Sequence, residues 1–251
     1  MLKIYVMRIY WLFLFLCWFN CSYAQTGSSD LRAKDIRKWN QRQSEFFILG
    51  TLSDYMGRWM EPFSVDRLEK FDRLEGPLAE TIDVLLKKQY PGLVYRFEKY
   101  RDKEGKPLSF YFHSDTLSRR FNGYYNFKAD GSSSGGQSRL NGRLKENIFK
   151  DDRDKLAFLA GVFVRFSQKN DTAYSMNIAN SISKAQVCYT LLEELGCKPY
   201  YRIARDYIPV GHWLYFHPTP EVMAYLQAVI PIREELDQVK TAWIKGVKRN
   251  K

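Results

Sequence analysis

Three histidines, His113, His212 and His217, and two cysteines beyond the N-terminal segment, Cys188 and Cys197, are the side chains best suited to nucleophilic or metal chemistry. Three imidazoles could form a zinc site. Their setting argues against it, because His113 and His217 close two similar strands 104 residues apart. His212 lies five residues before His217 on one strand, so the two point to opposite faces. Cys188 falls in the middle of an amphipathic helix, where a thiol serves as a small core hydrophobe more often than as a nucleophile. Gly131-Ser-Ser-Ser-Gly135-Gly136 has neither the lysine of a phosphate loop nor a strand leading into it, and its composition is that of a flexible linker. No catalytic residue, metal set or cofactor site emerges, which leaves charge. The chain of 251 residues has 39 Lys and Arg against 28 Asp and Glu, a net charge of +11. Arg96, Lys99, Arg101, Lys198, Arg202 and Arg205 are interleaved with Tyr95, Tyr100, Tyr200 and Tyr207. That pattern suits nucleic acid or another polyanion, whose phosphates would supply most of the affinity. A solvated sheet face with surplus cations is the plainer reading.

The elements that must carry these residues are duplicated. Asp83 to Phe97 followed by Ser109 to His113 lines up with Tyr189 to Ile203 followed by Trp213 to His217. Tyr201 follows Tyr95 by 106 residues and Trp213 follows Ser109 by 104. Each unit reads as an amphipathic helix stopped by Gly or Pro-Gly, an alternating strand, a turn and a second aromatic strand. Period-two alternation turns Tyr95, Phe97, Tyr201 and Ile203 toward helices and leaves Arg96 and Arg202 on an open face. Upstream of each unit, residues 46–52 and 157–163 are apolar helical stretches that contain Gly50 and Gly161. A helix-interior glycine costs about 1 kcal/mol relative to alanine, so its use here points to close backbone contact, as at a pseudo-twofold axis.

Phe158-Leu159-Ala160-Gly161-Val162-Phe163 resembles the signature of the LAGLIDADG homing endonuclease family, and Ile48-Leu49-Gly50-Thr51-Leu52 is similar to a weaker copy. The resemblance implies an α+β protein of two pseudo-twofold-related αββαββα-like halves with antiparallel sheets, the signature helices packed at the centre and the sheets covering DNA. It places a hairpin at Phe163–Ser167 and Tyr174–Ala179, turning at Asn170-Asp171, and a closing helix from Glu221. The first half is degenerate, since Tyr55 to Glu80 reads as helix or loop. The family also sets a metal-binding acid five residues after each glycine, because two carboxylates there hold the cations that activate water. The corresponding residues here are Tyr55 and Phe166, with Asp54 one position short, about 100° away around a helix. The resemblance therefore implies a scaffold without hydrolysis.

Lys3 and Arg8, an apolar run from Ile9 to Phe19, and small residues at Ser22 and Ala24 have the order of a secretory signal peptide cleaved after Ala24. Removal of Lys3 and Arg8 leaves a net charge of +9. Ser181 to Leu195 reads as a helix ended by Gly196, so Cys188 within it and Cys197 just past it are nine residues and too far apart for an internal bridge. The expected organisation is a leader at 1–24, a first half at 25–129, a linker at 130–150, a second half at 151–232 and a basic helix or tail at 233–251. The expected function is that of an exported, non-catalytic monomer binding nucleic acid, an envelope polyanion or a protein partner. A metal-dependent endonuclease or other hydrolase with rearranged residues, and a structural interaction module, are the alternatives.

Overall fold

The computed structural model describes residues 36–53, 58–60, 66–134, 137–168, 174–179, 181–206 and 208–249. The leader segment, Asp54, Tyr55, Tyr207, the Asn170-Asp171 turn and Gly135-Gly136 lie outside them.

Two helices, α1 (Gln41–Thr51) and α4 (Asp152–Phe166), form the centre. Each starts at a side-chain cap. Asn40 and Gln43 form a capping box on α1, and Asp151 accepts from the Asp154 backbone N–H on α4. Both are buried around nearly their whole circumference, which explains apolar stretches with no polar stripe. Their glycines meet. A Cβ on Gly50 would lie 2.2 Å from the Phe158 carbonyl oxygen, and one on Gly161 would lie 2.1 Å from that of Phe47. The contact is reciprocal, each glycine resting on the carbonyl three residues before the other, as a twofold relation requires.

Each central helix leads into a sheet. The second half runs α4, β7 (Ser167–Gln168), β8 (Tyr174–Ala179), α5 (Ile182–Glu194), β9 (Tyr200–Ala204), β10 (Gly211–Phe216) and α6 (Pro220–Arg249), with its antiparallel strands ordered β7-β8-β10-β9. The first half repeats the order with β1 (Arg58–Met60), β2 (Arg67–Asp72), α2 (Gly76–Gln89), β3 (Arg96–Arg101), β4 (Pro107–His113) and α3 (Asp115–Asn122), and three of its strands are ordered β2-β4-β3. The buried faces of α2 and α5 match at a constant offset of 106: Ala79, Ile82, Leu85 and Leu86 against Ala185, Cys188, Leu191 and Leu192. Just beyond them Gly92 and Gly196 take positive φ values of 91° and 77° and end the helices. One continuous apolar core links both halves.

Four expectations are corrected. Tyr55 to Glu80 is neither helix nor loop throughout, because it contains β1 and β2; β1 leaves the β2-β4-β3 sheet and pairs with residues 140–142 instead. The supposed linker at 130–150 contains β6 (Gln137–Leu144), paired with β5 (Tyr125–Ser134), so a strand does lead into the Gly-Ser run. Ser133 and Ser134 pair with Ser138 and Gln137, and residues of this kind read as linker rather than strand, which hid the strands from composition. Phe163 to Phe166 continues α4 rather than starting a hairpin, and only Ser167 and Gln168 pair with β8. The basic tail is no separate segment, since α6 runs through Pro231 to Arg249. Cys188 and Cys197 are both buried, and no disulfide joins them.

Candidate functional site

The C-terminal ends of α1 and α4 are where the resemblance would seat metal-binding acids. Basic groups collect there instead. Lys184, fully buried on α5, donates from Nζ to the Gly50 carbonyl at 3.2 Å and also to that of Leu52. Arg165, near the end of α4, reaches across to the Thr51 carbonyl at 2.5 Å and forms a double hydrogen bond with Glu75 at 2.7 and 3.0 Å. Arg233 on α6 donates to the Val164 carbonyl at 3.2 Å. Three cations thus satisfy carbonyls that a helix leaves open at its C-terminus, where the macrodipole is negative. Phe166, five residues after Gly161, lies with its ring 5.3 Å from the Lys184 ammonium and 5.6 Å from the Arg165 guanidinium. Glu69, also buried, accepts from the Ser53 N–H and lies 3.6 Å from Arg165. An aromatic ring bracketed by two cations does not fit a divalent metal, and among the described residues no three of His, Cys, Asp and Glu gather as a ligand set.

Sequence reasoning missed Lys184 and Arg165. A signal was present, because at the offset of 106 Lys184 corresponds to buried Leu78, a lysine inside an apolar stripe.

The six basic residues singled out from sequence separate by strand parity. Arg96 is exposed on the open face of the first sheet, 3.3 Å from Glu98 and 3.7 Å from Asp66. Lys99 turns to the helix side and pairs with Glu80 of α2 at 2.8 Å. Arg101 donates to the Gly105 carbonyl at 2.8 Å and holds its own hairpin. Arg202 is exposed opposite Trp213 on the second open face. Lys198, with φ 46°, precedes β9 and Arg205 follows it, both exposed. The arginines are less equivalent than expected, since Arg96 pairs with His113 whereas Arg202 pairs with Trp213 and not with His217. That slip of four residues in the edge strand also leaves Ile203 44% exposed instead of buried.

Other groups fill out the open faces. Lys70 lies 5.4 Å from the centre of the Tyr111 ring. Burial pushes the Tyr111 hydroxyl pKa up, but hydrogen bonds with Lys70 and Ser109 and the charges of Lys70 and Arg67 outweigh it and hold the value below the ordinary one. Tyr100 instead bonds Glu98 at 2.9 Å, which raises its pKa.

The histidines do not converge. His113 lies 3.3 Å from Asp66 and 3.6 Å from Glu98, His212 is buried with Nδ1 2.5 Å from the Tyr201 hydroxyl, and His217 is exposed beyond β10. Burial pushes the His212 pKa down. A separate buried carboxylate, Glu45 of α1, accepts from Arg120 at 2.6 and 2.5 Å, from Tyr124 at 2.6 Å and from Tyr90 at 3.2 Å. Burial, with that carboxylate adding to it, drives both tyrosine pKa values far up, so both remain hydrogen-bond donors. This network fixes α1 to the first half.

No family model and no curated protein matches the chain. Solved structures do. A mesophilic variant of the homing endonuclease I-DmoI matches with a TM-score of 0.50 at 12% identity, over 76% of this chain and 97% of that one. I-DmoI in complex with DNA and Mn matches at 0.49 and 12%, over 76% and 97%. Full-length DUF199/WhiA from Thermatoga maritima matches at 0.49 and 12%, over 90% of this chain and 73% of that one. Identity this low speaks to the fold alone. Two αββαββα halves joined through reciprocal glycines give this chain a LAGLIDADG endonuclease-like fold.

Proposed function

We propose that the chain is an exported, non-catalytic binding protein that holds nucleic acid or another polyanion on the open faces of its sheets. The observation that carries this reading is the helix junction, where Phe166, Lys184 and Arg165 stand where cleavage would need carboxylates. Lys184, Arg165 and Arg233 take up the carbonyls at the helix ends, and the carboxylates of Glu69 and Glu75 are held by Arg165, an arrangement that leaves, among the described residues, no free carboxylates there to gather divalent ions and activate water. The faces around it keep the means to bind, with Lys70 and Arg96 on one and Arg202 on the other. I-DmoI, whose fold is similar, has been crystallised with DNA, which supports nucleic acid as the ligand class. The leader-like residues before Gln25 support export, and with it the division into leader, first half and second half.

Electrophoretic mobility shift at low salt tests the binding. The reading expects retarded DNA, a shift unaffected by chelator, and affinity that falls linearly on a log–log salt plot. DNA left unshifted at low salt, together with passage through heparin without retention, would favour a structural interaction module. Export is checked by N-terminal sequencing of protein recovered outside the cytoplasm, with Gln25 expected as the first residue.

A further inference from the structure

We propose that the open sheet faces are paired stacking platforms for an unpaired nucleic-acid strand. This rests on the nucleic-acid reading above and narrows it. Each half sets a solvent-exposed tyrosine of its edge strand beside a ring on the neighbouring interior strand. In the first half Tyr100, 51% exposed, lies 5.0 Å from Tyr111. In the second Tyr200, 65% exposed, lies 6.2 Å from Tyr215. Tyr111 and Tyr215 correspond at the offset of 104. The edge strands have slipped by four residues relative to each other, yet each brings a tyrosine beside that ring, Tyr200 directly opposite Tyr215 and Tyr100 diagonally to Tyr111 from its place opposite Ser109. A device that reappears across a register change is not explained by shared strand pairing alone.

Strand parity puts these rings on the side of the sheet away from the helices. Phe110 and Phe112, Leu214 and Phe216 face the core, so Tyr111 and Tyr215 face outward. Trp213 extends the second platform, its ring 5.9 Å from Tyr215 and within 8° of parallel. Burial does not account for Tyr100 and Tyr200, which keep half or more of their surface in water.

The chemistry of the faces selects the ligand. A duplex hides its base faces in the stack and offers phosphates and groove edges, for which flat rings are poor partners. An unpaired strand exposes base faces at each nucleotide, and an antiparallel sheet with aromatic side chains is a proven form of platform for them. Lys70 beside Tyr111 and Arg202 opposite Trp213 put cations next to the rings, as a phosphate backbone requires and a neutral sugar chain does not, while Glu98, the acid bonded to Tyr100, is paired with Arg96.

Fluorescence anisotropy on the full chain, with a labelled thymidine oligomer, a duplex of equal length, heparin and a neutral oligosaccharide as probes, tests the proposal. The oligomer should bind more tightly than the duplex. Tyr100→Ala and Tyr200→Ala should each weaken oligomer binding about tenfold without changing the salt slope, and Tyr→Phe at each position should restore it. Arg202→Ala should instead lower the salt slope by about 1. Unchanged melting curves for the alanine variants show that the fold persists. Equal affinity for duplex and oligomer, with the alanine variants unaffected, would overturn the stacking proposal and leave polyanion binding standing. Salt-independent capture of the neutral oligosaccharide would also overturn it, and failure to bind any anionic probe would remove both readings.

Discussion

Lys184 takes in α5 the place that Leu78 takes in α2, and its two carbonyl partners on α1 explain why a lysine is tolerated at a fully buried position. Burying an ammonium is unfavourable unless its protons are satisfied, and here helix ends satisfy them. Lys184→Met keeps the bulk and removes the donor. It should cost about 1–3 kcal/mol, because acceptors at the end of α1 lose their partner away from water. Denaturant unfolding reads the change; equal stability of the two proteins would show that the bonds contribute nothing net. His212 gives a pH signature. Its pKa is pushed down in the folded state, so the native protein binds fewer protons than the unfolded chain below the ordinary value of about 6.5. Stability should therefore fall as the pH drops through about 6.5, and His212→Gln should flatten that slope. Thermal melts between neutral and mildly acid pH distinguish the cases, and parallel slopes for wild type and variant would contradict the assignment.

At the scale of elements, the contact between α1 and α4 is the feature with the least room for change. The atoms that a Cβ at Gly161 would strike belong to backbone, the Phe47 carbonyl at 2.1 Å, so no rotamer change relieves the clash. Gly161→Ala should destabilise the protein by about 3 kcal/mol despite the higher helix propensity of alanine. A rise in melting temperature would mean that the helices do not meet at this point. The same contact was legible in the sequence, because glycines inside apolar helices have few other uses. The edge strands were less legible. Alternation assigned β3 and β9 their faces, but the register that separates Arg96 from Arg202 is set by each hairpin's own connection, which pairs Arg96 with His113, 17 residues on, and Arg202 with Trp213, 11 residues on. β1 and the paired strands β5 and β6 escaped notice because β1 has three residues and the end of β5 is rich in Gly and Ser, which punctuate turns and linkers alike.

Across the whole molecule, the internal duplication organises both what the chain retains and what it has exchanged. Both halves keep a central helix, a covering helix with a matched apolar face, and an outward tyrosine pair. At the junction between halves, cations from α4, α5 and α6 close the ends of the central helices. The absence of an acid at Phe166 could be read from the sequence by counting from Gly161. The cations beside it could not, since Lys184 and Arg233 lie 18 and 67 residues further along and meet α1 and α4 only in three dimensions. The central claim is that this junction binds no catalytic metal while the sheets still hold nucleic acid. Incubation with supercoiled plasmid in Mg²⁺ or Mn²⁺, at protein concentrations that give a complete mobility shift, tests it most directly. The account predicts plasmid that is fully bound and remains supercoiled after the protein is stripped away. Nicked or linear product that grows with time, needs the metal and disappears in Asp54→Ala would contradict it.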